Sequence, residues 1–415
     1  MVDDMRKPPL HGITVLDFGH TVMGPSCGMI LADLGADVIK VEPVGAGDPT
    51  RSLKGFGTGY FGYFNRNKRS ISVDLKTEGG LRVAEDLVRK ADVVIENFAP
   101  GTMSRLGLGY DSLAALNSGL IFASLKGFLP GPYENRLALD EVVQMMGGLA
   151  YMTGPTGRPL RAGTSVVDIA GGMFAVIAIL AALRQREGTG RGQCVQSALY
   201  ESTIFLMGQH LCYAAQSDVP VPPMPERVSA WCIYEPFKSR DGKQVFLGIT
   251  TDSHWQRFCK AANWQDLAND PDLDTNNQRI AQRARLLERF AQFVGCRTAD
   301  EVCAVCEEAR IPFAPIRRPE DLFEDPHLAA TGGLIEIKLP DGTPARLPKL
   351  PIQIEALNRD PVRNPPSVGQ DTVAVLRQLG YAAAEIEALI DTKVVQCAVH
   401  EETVRDLKMG REHAG

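Results

Sequence analysis

The sequence predicts an α/β protein: a parallel sheet with helices on both faces, and a smaller α/β domain beyond it. Three observations carry the prediction. β-branched runs alternate with helix-like stretches through the first half of the chain; a proline-rich segment then breaks that rhythm; and 415 residues with 44% hydrophobic content exceed what one compact core usually holds.

The elements follow in order. "GITVLDFG" is a short β-branched strand, "GPSCGMILADLG" a glycine-bounded helix and "ADVIKVEP" a second strand, which together make a βαβ unit. "SISVDL" is the third strand, "EGGLRVAEDLVRKA" a helix, "DVVIENF" the fourth strand, "YDSLAALN" a helix and "LIFASLKGF" the fifth strand. Strands spaced by helices pair in parallel, and ligands of such sheets sit at the carboxyl ends of the strands, so the loops after strands are where chemistry is sought. Next comes "LALDEVVQMMGG", with a helix start at Asp140. "LRAGTSVVDIAGGMFAVIAILAALRQREGTGRG" follows: an extended approach, one carboxylate at Asp168, two glycines and a long apolar helix. A second long helix is expected through "QSALYESTIFLMGQHLCYAAQ". Residues 216–228 are proline-rich and read as a linker after a first domain over 8–215. "GKQVFLGIT", helices around "HWQRFCKAA" and "ARLLERFAQFVG", and "IPFAPI" make the smaller α/β domain over 229–325. Residues 326–400 have strands of their own, from "GGLIEIKLPDGTPARL", and a last helix at "EIEALI", leaving 401–415 as a tail.

Composition narrows the function. Forty-four basic and 50 acidic residues give a net charge of -6 without long blocks of one sign, which argues against a nucleic-acid surface or a basic membrane-binding face. "MVDDMRKPPLHG" at the N-terminus is charged and lacks the apolar core of a signal peptide or membrane span, so a cytoplasmic protein acting on small molecules is expected. Nine cysteines are scattered apart from Cys303 and Cys306, which read as reduced helix cysteines because no second Cys or His pair completes a zinc site. The seven histidines lie far apart without metal spacing, and no GxSxG elbow is present, so no metal site is expected and hydrolase readings are weak.

"GTGYFG" has three glycines, yet the polar "GDPTRSLKGF" before it is no strand and "YFNRNKRS" after it is no apolar helix, so it is not a dinucleotide fingerprint. "NRNKRS" places Asn65, Lys68 and Arg69 just before the third strand, with Lys40, Arg51 and Arg105 on neighbouring strand ends. Such cations over one sheet edge can hold a nucleotide phosphate or simply form a solvated loop. Asn97 and Phe98 follow the fourth strand directly, where an amide and an aromatic face can grip a ligand. A lone Asp before a helix ordinarily caps free backbone N–H groups, and Asp168 shares that default. Two features point past it. "IAGGM" puts glycines where a helix prefers Ala, at about 1 kcal/mol each, which makes sense if something approaches the backbone closely. The flanks "TSVV" and "MFAVIAILAAL" are almost uncharged, so the carboxylate has little water around it and can serve as a nucleophile. For Asp140 and its neighbour Glu141, capping is the simpler role.

Taken together, "LHGITVLDFGH", "GADVIKVEP", "GDPTR", "NRNKRSISVDLKT", "ADVVIENFAPG", "DIAGGMFAVIAILAAL", "GTGRGQ" and "PPSVGQDTVAVLRQLGY" resemble the family III CoA-transferases, the CaiB/BaiF group that includes formyl-CoA transferase and the carnitine CoA-transferase. The resemblance covers nearly all the chain. It implies a large Rossmann-like domain completed by residues 326–400, a small domain between linkers, and two chains threaded through each other as an interlocked homodimer. It places the catalytic aspartate at Asp168. Contacts to coenzyme A fall on Asn97, Phe98, Arg105, Lys40 and the segment Asn65, Lys68 and Arg69. His20, Asp140 and Gln144 are candidates for substrate contact, with a buried structural role as the alternative.

The implied chemistry is transfer of CoA from an acyl-CoA to a carboxylic acid, without a tightly bound cofactor. Asp168 attacks the thioester, the CoA thiolate returns to give an aspartyl-CoA thioester, and the acceptor acid reopens it. Apolar flanks keep water from the intermediates, and helix-start N–H groups with the glycine pair are the expected oxyanion donors. The glycine run of formyl-CoA transferase has no counterpart in "PERVSAWCIYEPF". Alternatives remain open: a racemase of the same fold, which here has Leu139 where that reaction needs a second base; a nicotinamide enzyme, which lacks its fingerprint; a CoA-binding protein without turnover; and CoA movement between two carboxylates of one diacid. Arg51, Arg136, Arg158 and Arg161 make a dicarboxylate the mild preference.

Overall fold

The computed structural model describes residues 7–227, 229–355 and 362–398, so the expected tail over 401–415 lies outside the described residues. Tertiary contacts divide the chain into two compact units, one running to Pro225 and resuming at Gly332, the other spanning Glu226–Thr331.

In the first unit the order is β1 (Thr14–Asp17), α1 (Met23–Asp33), β2 (Asp37–Glu42), α2 (Thr58–Phe64), β3 (Arg69–Val73), α3 (Glu78–Lys90), β4 (Val93–Glu96), α4 (Thr102–Arg105), α5 (Tyr110–Leu116), β5 (Ile121–Lys126), α6 (Asp140–Met146), α7 (Leu149–Thr153), α8 (Val166–Thr189), β6 (Cys194–Ala198), α9 (Leu199–Leu206) and α10 (Gly208–Ala214). The second unit has β7 (Ile233–Lys238), β8 (Gln244–Ile249), α11 (Asp252–Ala261), α12 (Gln265–Ala268), α13 (Asn276–Ala281), α14 (Arg283–Gly295), α15 (Ala299–Ala309), β9 (Phe313–Pro315) and α16 (Pro326–Thr331). The first unit then resumes with β10 (Leu334–Lys338), β11 (Pro344–Pro348), α17 (Thr372–Leu379), α18 (Ala383–Asp391) and β12 (Val395–Gln396).

The central sheet has seven strands in the order β12-β3-β2-β1-β4-β5-β6, parallel except for the antiparallel edge strand β12. This is the doubly wound, Rossmann-like order, and it reverses between β1 and β4, whose register pairs Val15 with Val93. Both faces of the central strands are covered, so β1 (TVLD) from Val15 and β4 (VVIE) run apolar up to the acid that ends each. Val15, Val93 and Ile95 face the core shared with α1 and α8, while Leu16, Ile39 and Val94 face the core with α3 and α17. The smaller unit pairs β7, β8 and β9 antiparallel around a core of Trp255, Phe258 and Phe290.

One expectation needs correction. The long helix expected from Gln196 is a strand followed by two shorter helices: β6 occupies Cys194–Ala198, and Met207 ends α9 and begins α10. The sixth strand completes the parallel sheet against β5, a long-range pairing that outweighs local helical pattern. "GTGYFG" lies mostly in the short helix α2.

Candidate active site

The site lies where the strand order reverses, at the carboxyl ends of β1 and β4. The chain leaves β1 at Asp17 and turns through Thr21, whose φ of 65 is in the left-handed region, before entering α1. Asp17 Oδ1 accepts from the Gly19 amide at 2.8 Å and Oδ2 accepts from Lys68 Nζ at 2.6 Å. Lys68 Nζ also donates to Pro25 O at 2.9 Å and Asn65 Oδ1 at 3.0 Å. Lys40 Nζ donates to Gly19 O at 2.7 Å and pairs with Asp48 at 2.8 Å. Lys40, Asn65 and Lys68 are buried, so the cations expected to hold a phosphate instead brace this turn from inside. Burying an unpaired ammonium costs several kcal/mol, and the carboxylates of Asp17 and Asp48 are what make the arrangement tolerable. Arg69 is also misplaced by sequence reasoning. It opens β3 at the amino edge of the sheet, opposite the site, where it pairs with Asp37 and donates to Gln378.

The Asn97 side-chain amide is engaged by the His20 backbone. Its Oδ1 accepts from the His20 amide at 2.8 Å and its Nδ2 donates to His20 O at 2.9 Å, so it stitches the loop after β4 to the turn after β1. The Phe98 and His20 rings lie 5.6 Å apart at this seam, and burial lowers the pKa of His20. Arg105 is exposed and donates to Thr102 Oγ1 within its own turn. Glu96, at the end of β4, accepts from Ser124, Lys126 and the Phe98 amide.

Asp168 stands in the first turn of α8, and its neighbours come from α6. Asp140 Oδ2 accepts from the amides of Val167 and Asp168 at 2.9 and 3.1 Å, so Asp140 caps α8 rather than the helix it begins. Gln144, fully buried, donates to Asp140 Oδ1 and accepts from the Ala162 amide at 2.9 Å. These two α6 side chains clamp the segment that leads into Asp168. Arg161 Nη2 lies 3.8 Å from Asp140 Oδ1, and the same guanidinium bonds Glu141. Burial first, and then the charge of Asp140, push the Asp168 carboxyl up to about 7 against the opposing pull of Arg161.

The glycine pair serves packing rather than ligand approach. A Cβ on Gly171 would meet the Met23 side chain, and one on Gly172 would meet Ser26 Oγ at 2.1 Å and Met23 O at 2.9 Å. These glycines let α1 lie close against α8, which puts the first turn of α8 beside the start of α1. The expected oxyanion donors are also occupied: Val166 N donates to Thr164 O, Ile169 N to Ser165 O, and the two amides between them to Asp140. Sequence reasoning gives Asp140 a capping role but not the helix it caps, because the acid and the two amides it serves are 27 and 28 residues apart. It also missed the pair of Lys126 with Glu96; the only sequence signal for it is that both residues end neighbouring strands.

The chain matches the description CoA-transferase family III over residues 10–372. It is 33% identical to the succinyl-CoA:glutarate CoA-transferase of Mus musculus over 405 residues, 95% of this chain and 91% of that protein. It is likewise 33% identical to the succinyl-CoA–L-malate CoA-transferase alpha subunit of Chloroflexus aurantiacus over 412 residues, 93% of this chain and 92% of the relative. Among solved structures, a CaiB/BaiF family protein from Brucella suis superposes with a TM-score of 0.79 at 32% identity, covering 90% of this chain and all of that one. With the doubly wound sheet, the acid at the head of α8 and a match over nearly the whole sequence, the chain belongs to CoA-transferase family III.

Proposed function

We propose that this CoA-transferase moves CoA from an acyl-CoA to a short dicarboxylic acid through covalent intermediates on Asp168. One observation carries the reading: a carboxyl group held at the head of a helix in surroundings dry enough to bring it to about 7. The ionised carboxylate attacks the thioester carbonyl, and the C–S bond breaks to release CoA thiolate and leave an acyl-aspartyl anhydride. Thiolate then attacks the aspartyl carbonyl, which frees the donor acid and leaves an aspartyl-CoA thioester. The acceptor carboxylate attacks that thioester to give a new anhydride, and thiolate finally attacks the acceptor's acyl carbon, which restores Asp168. One thioester is consumed and one is made, so no other energy source enters.

The relatives named for glutarate and L-malate support a dicarboxylate as the acceptor. Of the expected CoA contacts, Phe98 and Arg105 are reachable from solvent, and Arg105 is suited to a CoA phosphate. A homodimer is part of the proposal. Leu139, Met145, Met173, Ile177, Phe205 and Leu211 on or beside α6, α8, α9 and α10 are exposed, Phe205 by 70%, and a second copy of the chain would cover them. Burial of one side in the core and cover of the other by a second copy would account for the apolar length of α8, whose most apolar window has a mean hydropathy of 2.4.

Mass spectrometry after incubation with acyl-CoAs and hydroxylamine tests the covalent step. Wild type gains a hydroxamate at Asp168, whereas Asp168→Ala gains none and loses activity by roughly a thousandfold or more. Modification elsewhere, with Asp168 untouched, refutes the mechanism.

A further inference from the structure

Resting on the dicarboxylate reading above, we infer that Arg161 selects the acceptor: its guanidinium takes the distal carboxylate of a short diacid whose other carboxylate reacts at Asp168. Arg161 lies on the segment that leads into the nucleophile, and that segment is built rather than loose. The amide of the next residue, Ala162, is held by the fully buried Gln144. Asp140 stands between the two groups. One of its oxygens takes the Asp168 amide at 3.1 Å, and the other is 3.8 Å from Arg161 Nη2. The guanidinium and the nucleophile therefore flank a single carboxylate group, a separation a short diacid can bridge.

The Arg161 side chain is 31% exposed, partly desolvated yet open to a ligand. Its bonding partner Glu141 is 59% exposed, and an ion pair in so much water contributes little, so a substrate carboxylate can replace it. The planar guanidinium suits a carboxylate in a two-point grip. Several other cations are committed: Lys40 and Lys68 to buried acids, Lys126 to Glu96, and Arg51 to Glu42 and Pro366 O. Asp140, Glu141 and Asp168 would repel a dianion if Arg161 were absent, so its loss falls harder on a diacid than on a monoacid of similar size.

The test uses the full chain with succinyl-CoA as common donor and measures kcat/KM for glutarate and for butyrate as acceptors, so that the donor half-reaction cancels in their ratio. Arg161→Leu lowers the glutarate-to-butyrate ratio about 10- to 100-fold, the effect of losing a charge-assisted hydrogen bond. Arg161→Lys keeps part of it. Glu141→Gln, which frees the guanidinium, raises it. An unchanged ratio in Arg161→Leu, beside a wild type that prefers glutarate, overturns this inference alone. A wild type that transfers CoA to butyrate but not to glutarate overturns the dicarboxylate reading and this inference with it, and transfer to neither acid overturns the proposed reaction as a whole.

Discussion

The Asp168 carboxyl is pushed up by two things the fold supplies separately, its burial at the head of α8 and the nearby charge of Asp140. Both disfavour the ionised form. At neutral pH the carboxyl is therefore divided between protonated and ionised states, and only the ionised state attacks a thioester. The sign of the pH dependence follows: kcat/KM for the acyl-CoA donor rises as pH increases through about 7 and levels off above it. Asp140→Asn removes one of the two causes, so the same limb moves to lower pH in that variant; a limb that stays in place would show that Asp140 acts only as a cap. At this scale sequence reasoning divides sharply. The place of Asp168 at the head of α8 is legible because a lone acid with an uncharged flank on both sides is a local pattern. Lys40 and Lys68 are misread because a sequence shows charge but not burial, and their acids at Asp48 and Asp17 lie 8 and 51 positions away.

At the scale of elements, the pairing of α1 with α8 decides where Asp168 sits. α8 starts on the cap from Asp140 and stops where Gly190 takes φ 67, and its glycines are spent on the contact with α1. The two glycines differ in what a methyl group would strike. Gly172→Ala drives a Cβ toward backbone atoms of Met23 and Cys27, and should destabilise the fold by about 1–3 kcal/mol, as overpacking does. Gly171→Ala meets the movable end of the Met23 side chain, and the better helix propensity of Ala offsets much of the strain, so its change in stability should be small. Denaturant melts of both variants check this, and equal losses would show that the contact is not set by backbone approach. The helix itself is plain in the sequence from its apolar run. What its glycines face is not, since close approach to a ligand and close approach to another helix look alike in one dimension.

For the whole molecule, the apolar surface on α6, α8, α9 and α10 makes the strongest demand. Ile177 is 60% exposed on a helix that also carries Asp168, so whatever covers it bears on the active-site helix. Light scattering on wild type should give twice the 45.1 kDa chain mass, and Ile177→Glu should shift the mass toward one chain and lower activity with it. A monomeric, fully active wild type would remove the dimer from the proposal. The sheet was legible at this scale through its first five strands, which alternate with helices in order along the chain. The sixth was read as helix, and the edge strand β12 was not foreseen, because each is defined by a partner remote in sequence.

The sequence by itself determined the α/β alternation, the long apolar helix with one acid at its head, and, through motifs spread over nearly the whole chain, the family. These are properties of neighbouring residues or of fixed strings, and they survive without coordinates. The tertiary structure alone decided that Asp140 and Gln144 hold the segment that leads into Asp168, that Asn97 stitches two loops, that two lysines brace a turn from inside, and that Arg161 stands beside Asp140 at the head of α8. The physical reason is common to all four. Hydrogen bonds and ion pairs act over a few ångströms of space, and only folding brings residues tens of positions apart within that range.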